Sequence, residues 1–368
     1  MNITFKHILV GELRSYVESR DYYDLEFYPI SRERAISHAE NPRADKDDVA
    51  IFLAYNDNRL IGYLGAITDF IYHEDKIKKV YWLSCMWILP EFRRYRIALM
   101  LMLEAHKTFD GNILITNYIP RSKKVFEKTN QYHELQVLKG IRAYLRFDLA
   151  RILTRKYNKL EIFQPFLKLS DGCLNSILHI RLQWKLRKTV LKHNYTFVKK
   201  IDKQLNNFID INTKNSSFRR GINEFDWILK YPWVINSEKA PPDANKYYFS
   251  WYANDFQQHL VKIEDNNNNI VGALILIIYR GELKTPYIFL NGADEKDVTM
   301  FLIQLMIENK IPTYVGYDPT VNGHIIKSKL FWHKRNSEHG ILISKKLAKE
   351  VNIDKPVLFY GDGDAVFT

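Results

Sequence analysis

The run KKVYWLSCMWIL, Lys78 to Leu89, is stopped by Pro90 and followed within a few residues by RIALMLMLEAHKTF, Arg96 to Phe109. The first run is aromatic and aliphatic and reads as a strand; the second is long and apolar enough for a buried helix. A chain that must bury a strand and, almost at once, a helix needs layers, with helices packed on the face of a sheet. The corner between them, PEFRRYR, lies where the first turn of the helix has unpaired N–H groups and the positive end of its dipole, which is a ready anion site.

The flanking sequence extends this pattern. Residues 50–70 place two β runs around Asn56-Asp57-Asn58, a hairpin. Downstream, NILITNYIP gives a short strand, SKKVFEKTNQY a helix, and LQVLKGIRAYLRFDL a last β stretch that closes the unit near residue 150. The order hairpin, strand, helix, strand, helix, strand predicts a mixed sheet with helices on its faces.

After residue 195 the pattern returns. LAYNDNRLIGYL, Leu53 to Leu64, can be laid on IEDNNNNIVGAL, Ile263 to Leu274, with Asn56 on Asn266, Asn58 on Asn268, Gly62 on Gly272 and Leu64 on Leu274. A strand (TPYIFL), a helix (EKDVTMFLIQLMIENK), a strand (TYVGYD), and a helix-like segment with terminal strands follow. The expectation is an internal duplication: related domains at 1–150 and 196–368, the second more divergent, joined by a helical connector at 151–195. In the connector, Pro165 and Gly172 read as breakers. Leu174, Leu178, Leu182, Leu186 and Val190, four apart, then mark an amphipathic helix with a second, basic row of Arg181, Lys185, Lys188 and Lys192. Such a helix lies on a membrane surface or an acidic partner, or packs between two domains with its basic face solvated; packing is the favoured reading, because most amphipathic helices in globular chains bury their apolar stripe.

The charge balance, 54 Lys and Arg against 42 Asp and Glu, favours anionic partners: a phosphorylated cofactor, a nucleotide-linked substrate, nucleic acid or an acidic membrane. Cys85 and Cys173 have no partners at metal spacing, so a reducing cytoplasm is expected. The N-terminus lacks the apolar run of a signal peptide, and no window is long enough to span a bilayer. His324, His333 and His339 show no ligand spacing, and Asp362 and Asp364 in YGDGDAVFT read as a polar turn before a last short strand, so no metal is expected.

Residues 1–150, and best of all 50–132, resemble the GCN5-related N-acetyltransferases, the GNAT superfamily. In that family a strand leads through a Pro-Glu-aromatic-Arg corner into Arg/Gln-x-x-Gly-x-Gly/Ala at a helix start, and Arg93, Arg94, Tyr95, Arg96, Ile97 and Ala98 occupy that register. The resemblance implies an α/β chain of two GNAT-like domains, each a mixed, mostly antiparallel sheet flanked by helices. It also implies acetyl-CoA or another acyl-CoA as cosubstrate. The diphosphate would lie on the backbone of Arg94 to Ala98, beside the arginines, and the pantetheine arm along Trp87 and Ile88. Asn117 and Phe126 fall in the family's downstream segment, where a strand ending in Asn precedes Tyr-Glu-Lys-x-Gly-Phe.

Two departures bear on activity. Arg96 replaces the first glycine; it either grips the diphosphate by charge or closes the cradle, and a retained anion site is the expectation. Phe126 replaces the tyrosine that in many members protonates the leaving thiolate, and a phenyl ring has no proton to give. Tyr118, Tyr132 or water would substitute. For the base, the strand carries no carboxylate, and Ser84 acting through water is the candidate. His73, Glu74 and Asp75 read as turn residues, and Cys85 as a small core residue. In the second domain, Asp294 and Glu295 put negative charge at a helix start, so no cofactor is expected there.

The first reading is therefore an N-acyltransferase moving an acyl group to an amine of a small molecule or sugar precursor, with no DNA partner. One alternative is a catalytically inactive GNAT-like binding protein. Another is a tandem transferase like the Fem family, for which the partner would be aminoacyl-tRNA.

Overall fold

A computed structural model of the chain describes residues 2–74, 76–116, 118, 120–187, 189–249, 251–352 and 356–367. Strand β1 (Ile3–Leu9) pairs antiparallel with β2 (Val49–Asn56), and three short helices, α1 (Leu13–Glu18), α2 (Arg20–Tyr23) and α3 (Arg32–Ala39), lie between them in sequence. Ser19 and Ser31 cap α2 and α3, accepting the N–H of Tyr22 and Arg34. The polar hairpin forms as expected: β2 turns through Asp57, φ 54°, into β3 (Arg59–His73). β3 pairs with β4 (Lys76–Ile88), which passes through a 3-10 turn, Pro90–Tyr95, into α4 (Ile97–Thr108). β5 (Ile113–Ile115), α5 (Pro120–Thr129) and β6 (Tyr132–Tyr144) complete this run.

Next come α6 (Leu149–Lys156), α7 (Gln164–Leu186), β7 (Asn194–Val198), α8 (Lys203–Thr213), α9 (Ile222–Lys230) and two very short strands, β8 (Ile235–Asn236) and β9 (Tyr252–Ala253). The last part holds β10 (Gln257–Glu264), β11 (Ile270–Tyr279), β12 (Glu282–Leu290), α10 (Glu295–Glu308), β13 (Thr313–Gly316), α11 (Pro319–Lys327), β14 (His333–Ser344) and α12 (Lys345–Val351). The order three strands, helix, strand, helix, strand thus occurs twice, from β2 to β6 and from β10 to β14.

The two glycines matched in the sequence hold matching places. Gly62 of β3 faces Ile88, the last residue of β4, and Gly272 of β11 faces Leu290, the last residue of β12. A Cβ on Gly62 would lie 2.5 Å from Ile88 Cδ1 and 3.1 Å from Trp87 O; one on Gly272 would lie 3.2 Å from both Leu290 Cδ2 and Phe289 O. Each run therefore has a close approach at the point where its third strand leaves the sheet for a helix.

Two expectations about local structure are corrected. Pro165 and Gly172 do not break the connector: Pro165 sits in the first turn of α7, where its missing N–H costs nothing, and a Cβ on Gly172 would meet nothing within 4 Å. The helix ends at Leu186, so Val190 lies beyond it and is exposed; Lys188 is outside the described residues. The tail does not end in a strand, since Ala365–Phe367 form a 3-10 turn.

Contacts divide the chain into two compact units, one of residues 1–138, 199–258 and 339–368, the other of 139–198 and 259–338. These borders differ from those suggested near 150 and 195, and strand pairing shows why. In the first unit the order is β1-β2-β3-β4-β5-β14, with Leu342 and Ile343 of β14 antiparallel to Ile115 and Leu114. In the second it is β6-β13-β12-β11-β10-β7, with Thr313 to Gly316 antiparallel to Tyr144 to Ile141 of β6. The last strand of each run completes the ladder of the other. Most pairs are antiparallel; β4–β5 and β12–β13 are parallel. α4 buries Ile97, Leu101, Met102 and Ala105 in the first core, and α10 buries Val298, Leu302, Ile303 and Met306 in the second.

Candidate active site

The site begins with a fault in β4. Tyr63 faces Trp87 and Gly65 faces Ser84, so Leu64 alone stands opposite both Cys85 and Met86. This is a β-bulge, with Cys85 in the left-handed region at φ 57°. On its other side β4 pairs with β5 only from Tyr81 to Leu83, because β5 ends at Ile115. Among the described residues no strand pairs with that edge of β4 from Ser84 to Ile88; Ile88 O accepts from Arg93 Nε, and the edge before it offers backbone groups to an extended ligand.

The open edge runs into the anion corner. Arg96 is the N-cap of α4 and adopts φ 62°, ψ 20°, the left-handed conformation for which glycine is the least costly residue. The backbone therefore takes the course a glycine would allow, although the residue is arginine. No side chain caps the helix, so its first-turn N–H groups point outward without a built-in acceptor. Arg93, Arg94, Tyr95 and Arg96 are all exposed. Arg93 Nε donates to Ile88 O at 3.1 Å, and Arg94 Nη2 donates to Tyr95 Oη at 2.6 Å. Ile97 is buried and Ala98 half-buried beneath the turn.

Beside the bulge lies a buried polar cluster. Ser84 Oγ donates to Asp364 Oδ2, and Arg34 Nη1 donates to Cys85 Sγ. Arg34 stacks over Trp233 at 3.9 Å, and its Nε donates to His38 Nε2 at 3.3 Å. Burial opposes the charge on Arg34, but Cys85, Tyr247 and Asp364 around it raise its pKa above the ordinary value. Burial, reinforced by Arg34, holds His38 well below its usual range, so the ring is neutral. Burial likewise raises Tyr247 and Tyr63, which keep their protons. Three buried donors nearby, Arg34 Nη2, Tyr63 Oη and Trp87 Nε1, have no hydrogen-bond partner among the described residues. Orphaned donors beside an open strand edge suit a polar ligand.

Asp364 lies in a turn, as its sequence suggests, but the turn is packed against β4 and not solvated. The tail reaches β4 because a buried network fixes it. Asp69 of β3 accepts from Arg43, from Arg220 at 2.9 Å and from Trp82 Nε1 at 3.1 Å. Arg220 in turn lies 3.9 Å from Asp362, which accepts the N–H of Phe359 at 2.8 Å. Gly363, at φ 78°, packs against Trp82 and Thr116, and Phe367 stacks on Trp233 at 4.4 Å. The only advance signal was two carboxylates among glycines, which a solvated turn explains equally well.

The other predicted residues are spread more widely. Phe126 is buried in the first core, 6.2 Å from Tyr118 and 6.3 Å from Tyr132. Tyr132 is buried too, and burial raises its pKa. Tyr118 is half-buried with its hydroxyl over Gly340. Trp87 packs on Phe27 at 4.5 Å, and Ile88 is buried. His73 and Glu74 lie at the far end of the β3–β4 ladder from Ile88. Asn117 and Asp75 lie outside the described residues. Among the described residues no group of His, Cys, Asp or Glu is placed to hold a metal. In the second unit Asp294 caps α10 itself, accepting from Lys296 N at 2.9 Å and Asp297 N at 3.2 Å, so a carboxylate already fills that helix start.

Comparisons with known proteins bear on residues 15–114 and on the fold. Residues 15–114 match the model of the Acetyltransferase (GNAT) family. A conserved protein of unknown function from Enterococcus faecalis V583, given as a probable N-acyltransferase, is 9 % identical, with a TM-score of 0.50 over 94 % of this chain and 74 % of that one. A GCN5-related N-acetyltransferase from Anabaena variabilis ATCC 29413 is 9 % identical, with a TM-score of 0.46 over 92 % and 72 %. Saccharomyces cerevisiae N-myristoyltransferase with bound myristoyl-CoA is 11 % identical, with a TM-score of 0.48 over 93 % and 82 %. Only the first of these scores speaks to fold. No curated protein matches the sequence. The family match thus covers residues 15–114, and the likeness to solved structures concerns the fold. The structure is mixed α/β with mostly antiparallel strands.

Proposed function

We propose that the protein is an N-acyltransferase that takes an acyl group from acyl-CoA and passes it to an amine of a small molecule or sugar precursor. The observation that carries this is the open edge of β4 from Ser84 to Ile88, which leads directly to the uncapped start of α4. The residues suit the cosubstrate: backbone N–H groups from Arg96 onward would take the diphosphate, with Arg93, Arg94 and Arg96 adding charge, and the edge at Trp87 and Ile88 would take the amide-bearing arm. When bound, the thioester supplies the electrophilic carbonyl. The chain's own part is to hold the amine and remove its proton. In this reading Ser84 Oγ would accept the amine proton as it passes its own to Asp364 Oδ2, supported by their hydrogen bond, while Arg34 keeps the local charge balanced.

We further read the two runs of elements as an internal duplication. The second copy has lost its anion corner, because Asp294 occupies the helix start. Calorimetry with acetyl-CoA tests the central proposal. The natural protein is expected to bind, and Arg96→Gly to bind with affinity reduced by no more than about tenfold, the worth of one exposed charge-assisted contact. If neither protein binds acetyl-CoA or a longer acyl-CoA, the acyltransferase reading fails.

A further inference from the structure

Helix α7 is apolar on two sides. One side faces the core of the second unit: Leu182 is buried, and Leu178 and Leu186 pack against that core. The same side is anchored by polar bonds. Asp171 accepts the N–H groups of Leu149 and Ala150, both at 2.9 Å, and Asn175 exchanges bonds with Phe147 N and O at 2.9 and 2.8 Å. The orientation of the helix is thus set without its other side. On that other side Phe166, Leu169, Cys173, Ile177, Ile180 and Trp184 recur at spacings of three and four, which places them within about 80° of one another around the helix. All are exposed, with Ile177 at 72 % and Ile180 at 73 %. The stripe is roughly 27 Å long at the usual rise of a helix.

The charges beside this stripe have one sign. Arg181, Lys185 and Arg187 are exposed, and the only acid on the helix, Asp171, is turned inward. Large aliphatic and aromatic side chains flanked by Lys and Arg are the composition of a helix that lies in the boundary of a bilayer. No helix among the described residues is long and apolar enough to cross one. A second copy of this chain is the poorer occupant, because its helix would bring the same basic residues, Arg181 and Lys185, and no exposed acid to pair with them.

We propose that this outer face of α7 docks on an anionic lipid surface, with the stripe from Phe166 to Trp184 in the acyl boundary and Arg181 and Lys185 at the headgroups. The test is co-sedimentation of the full chain with vesicles of phosphatidylcholine and phosphatidylglycerol, and with phosphatidylcholine alone. Binding is expected only to the mixed vesicles. It is expected to fall about tenfold in Ile177→Asp/Ile180→Asp and again in Arg181→Glu/Lys185→Glu, since both the apolar and the electrostatic parts contribute. These positions are exposed, so unchanged thermal unfolding verifies that the variants fold. Absence of pelleting with mixed vesicles overturns the proposal, as does equal pelleting of the first double variant, which would reflect general basic charge. A concentration-dependent dimer in sedimentation velocity that the same variant abolishes would give the stripe to a second copy and overturn it as well.

Discussion

Arg96 shows how a backbone angle suited to glycine can persist where the residue is arginine. A non-glycine residue at φ 62° carries a conformational cost of about 1–2 kcal/mol, and such costs persist where the surroundings impose them. Arg96→Gly is therefore expected to raise stability by about 1 kcal/mol in urea unfolding, after allowance for the extra freedom of glycine when unfolded. A loss of stability would mean that the side chain is held by contacts outweighing the strain. Ser84 and Asp364 form the second residue-scale feature. If they remove the amine proton together, Asp364→Asn and Ser84→Ala should each lower kcat roughly 100-fold or more with little change in the KM for acyl-CoA. The double variant should be no worse than the worse single one. Additive losses would show that the two act separately.

At the scale of elements, much was legible because the local signals agreed with the fold. The hairpin at Asn56–Asn58, the strand stopped by Pro90 and the helix after Arg96 each had propensity, pattern and turn chemistry on the same side. α7 was misjudged at its start because proline and glycine were read as breakers without regard to position. The distinction is measurable. Gly172 is inside the helix with open space around it, so Gly172→Ala should stabilise by about 0.5–1 kcal/mol. Gly62 is in a strand against Trp87 O and Ile88, so Gly62→Ala should destabilise by about 1–3 kcal/mol. Equal effects of the two substitutions would show that close approach at the strand end does not govern Gly62. The outer stripe of α7 was present in the spacing of Phe166, Leu169, Ile177, Ile180 and Trp184, but a second stripe at heptad-like spacing hides behind the first when leucines four apart are counted.

What the sequence could not convey at the largest scale is which distant segments complete each unit. Strand order is a long-range property, and no local pattern says that β14 pairs with β5 or that Asp364 reaches Ser84. His339 gives a readout of this packing. It contacts Thr116 Oγ1 at 2.6 Å, and burial pushes its pKa down to about 4. Above about pH 6.5 the ring is neutral in both folded and unfolded chains. As pH falls toward 4 the unfolded chain takes up a proton that the folded one refuses, so stability is lost across that window. His339→Gln should remove up to about 3 kcal/mol of this loss, seen as a stability difference from the natural protein that changes between pH 7 and pH 4. A difference that stays constant with pH would show that the ring is not held neutral.

The same long-range closure predicts how the chain can be cut. Residues 1–150 contain the whole family-matching region and the first run of elements, and judged by sequence they could be a domain. Yet a fragment ending there would lack Arg220, leaving Asp69 buried with Arg43 alone where it now has two arginines. Loss of one partner from a buried ion network costs about 3–5 kcal/mol. The fragment would also lack β14, which exposes the edge of β5, and Phe218, whose ring lies 4.8 Å from that of Trp82. Against a total stability of about 5–15 kcal/mol for a typical domain, these losses leave nothing to hold the fold. The fragment 1–150 is therefore expected to show no cooperative urea transition and no near-ultraviolet circular dichroism, while the full chain shows both. A fragment that unfolds cooperatively would mean that the segments at 199–258 and 339–368 decorate a finished domain, and Asp364 would then be a visitor to the Ser84 site, not a fixed part of it.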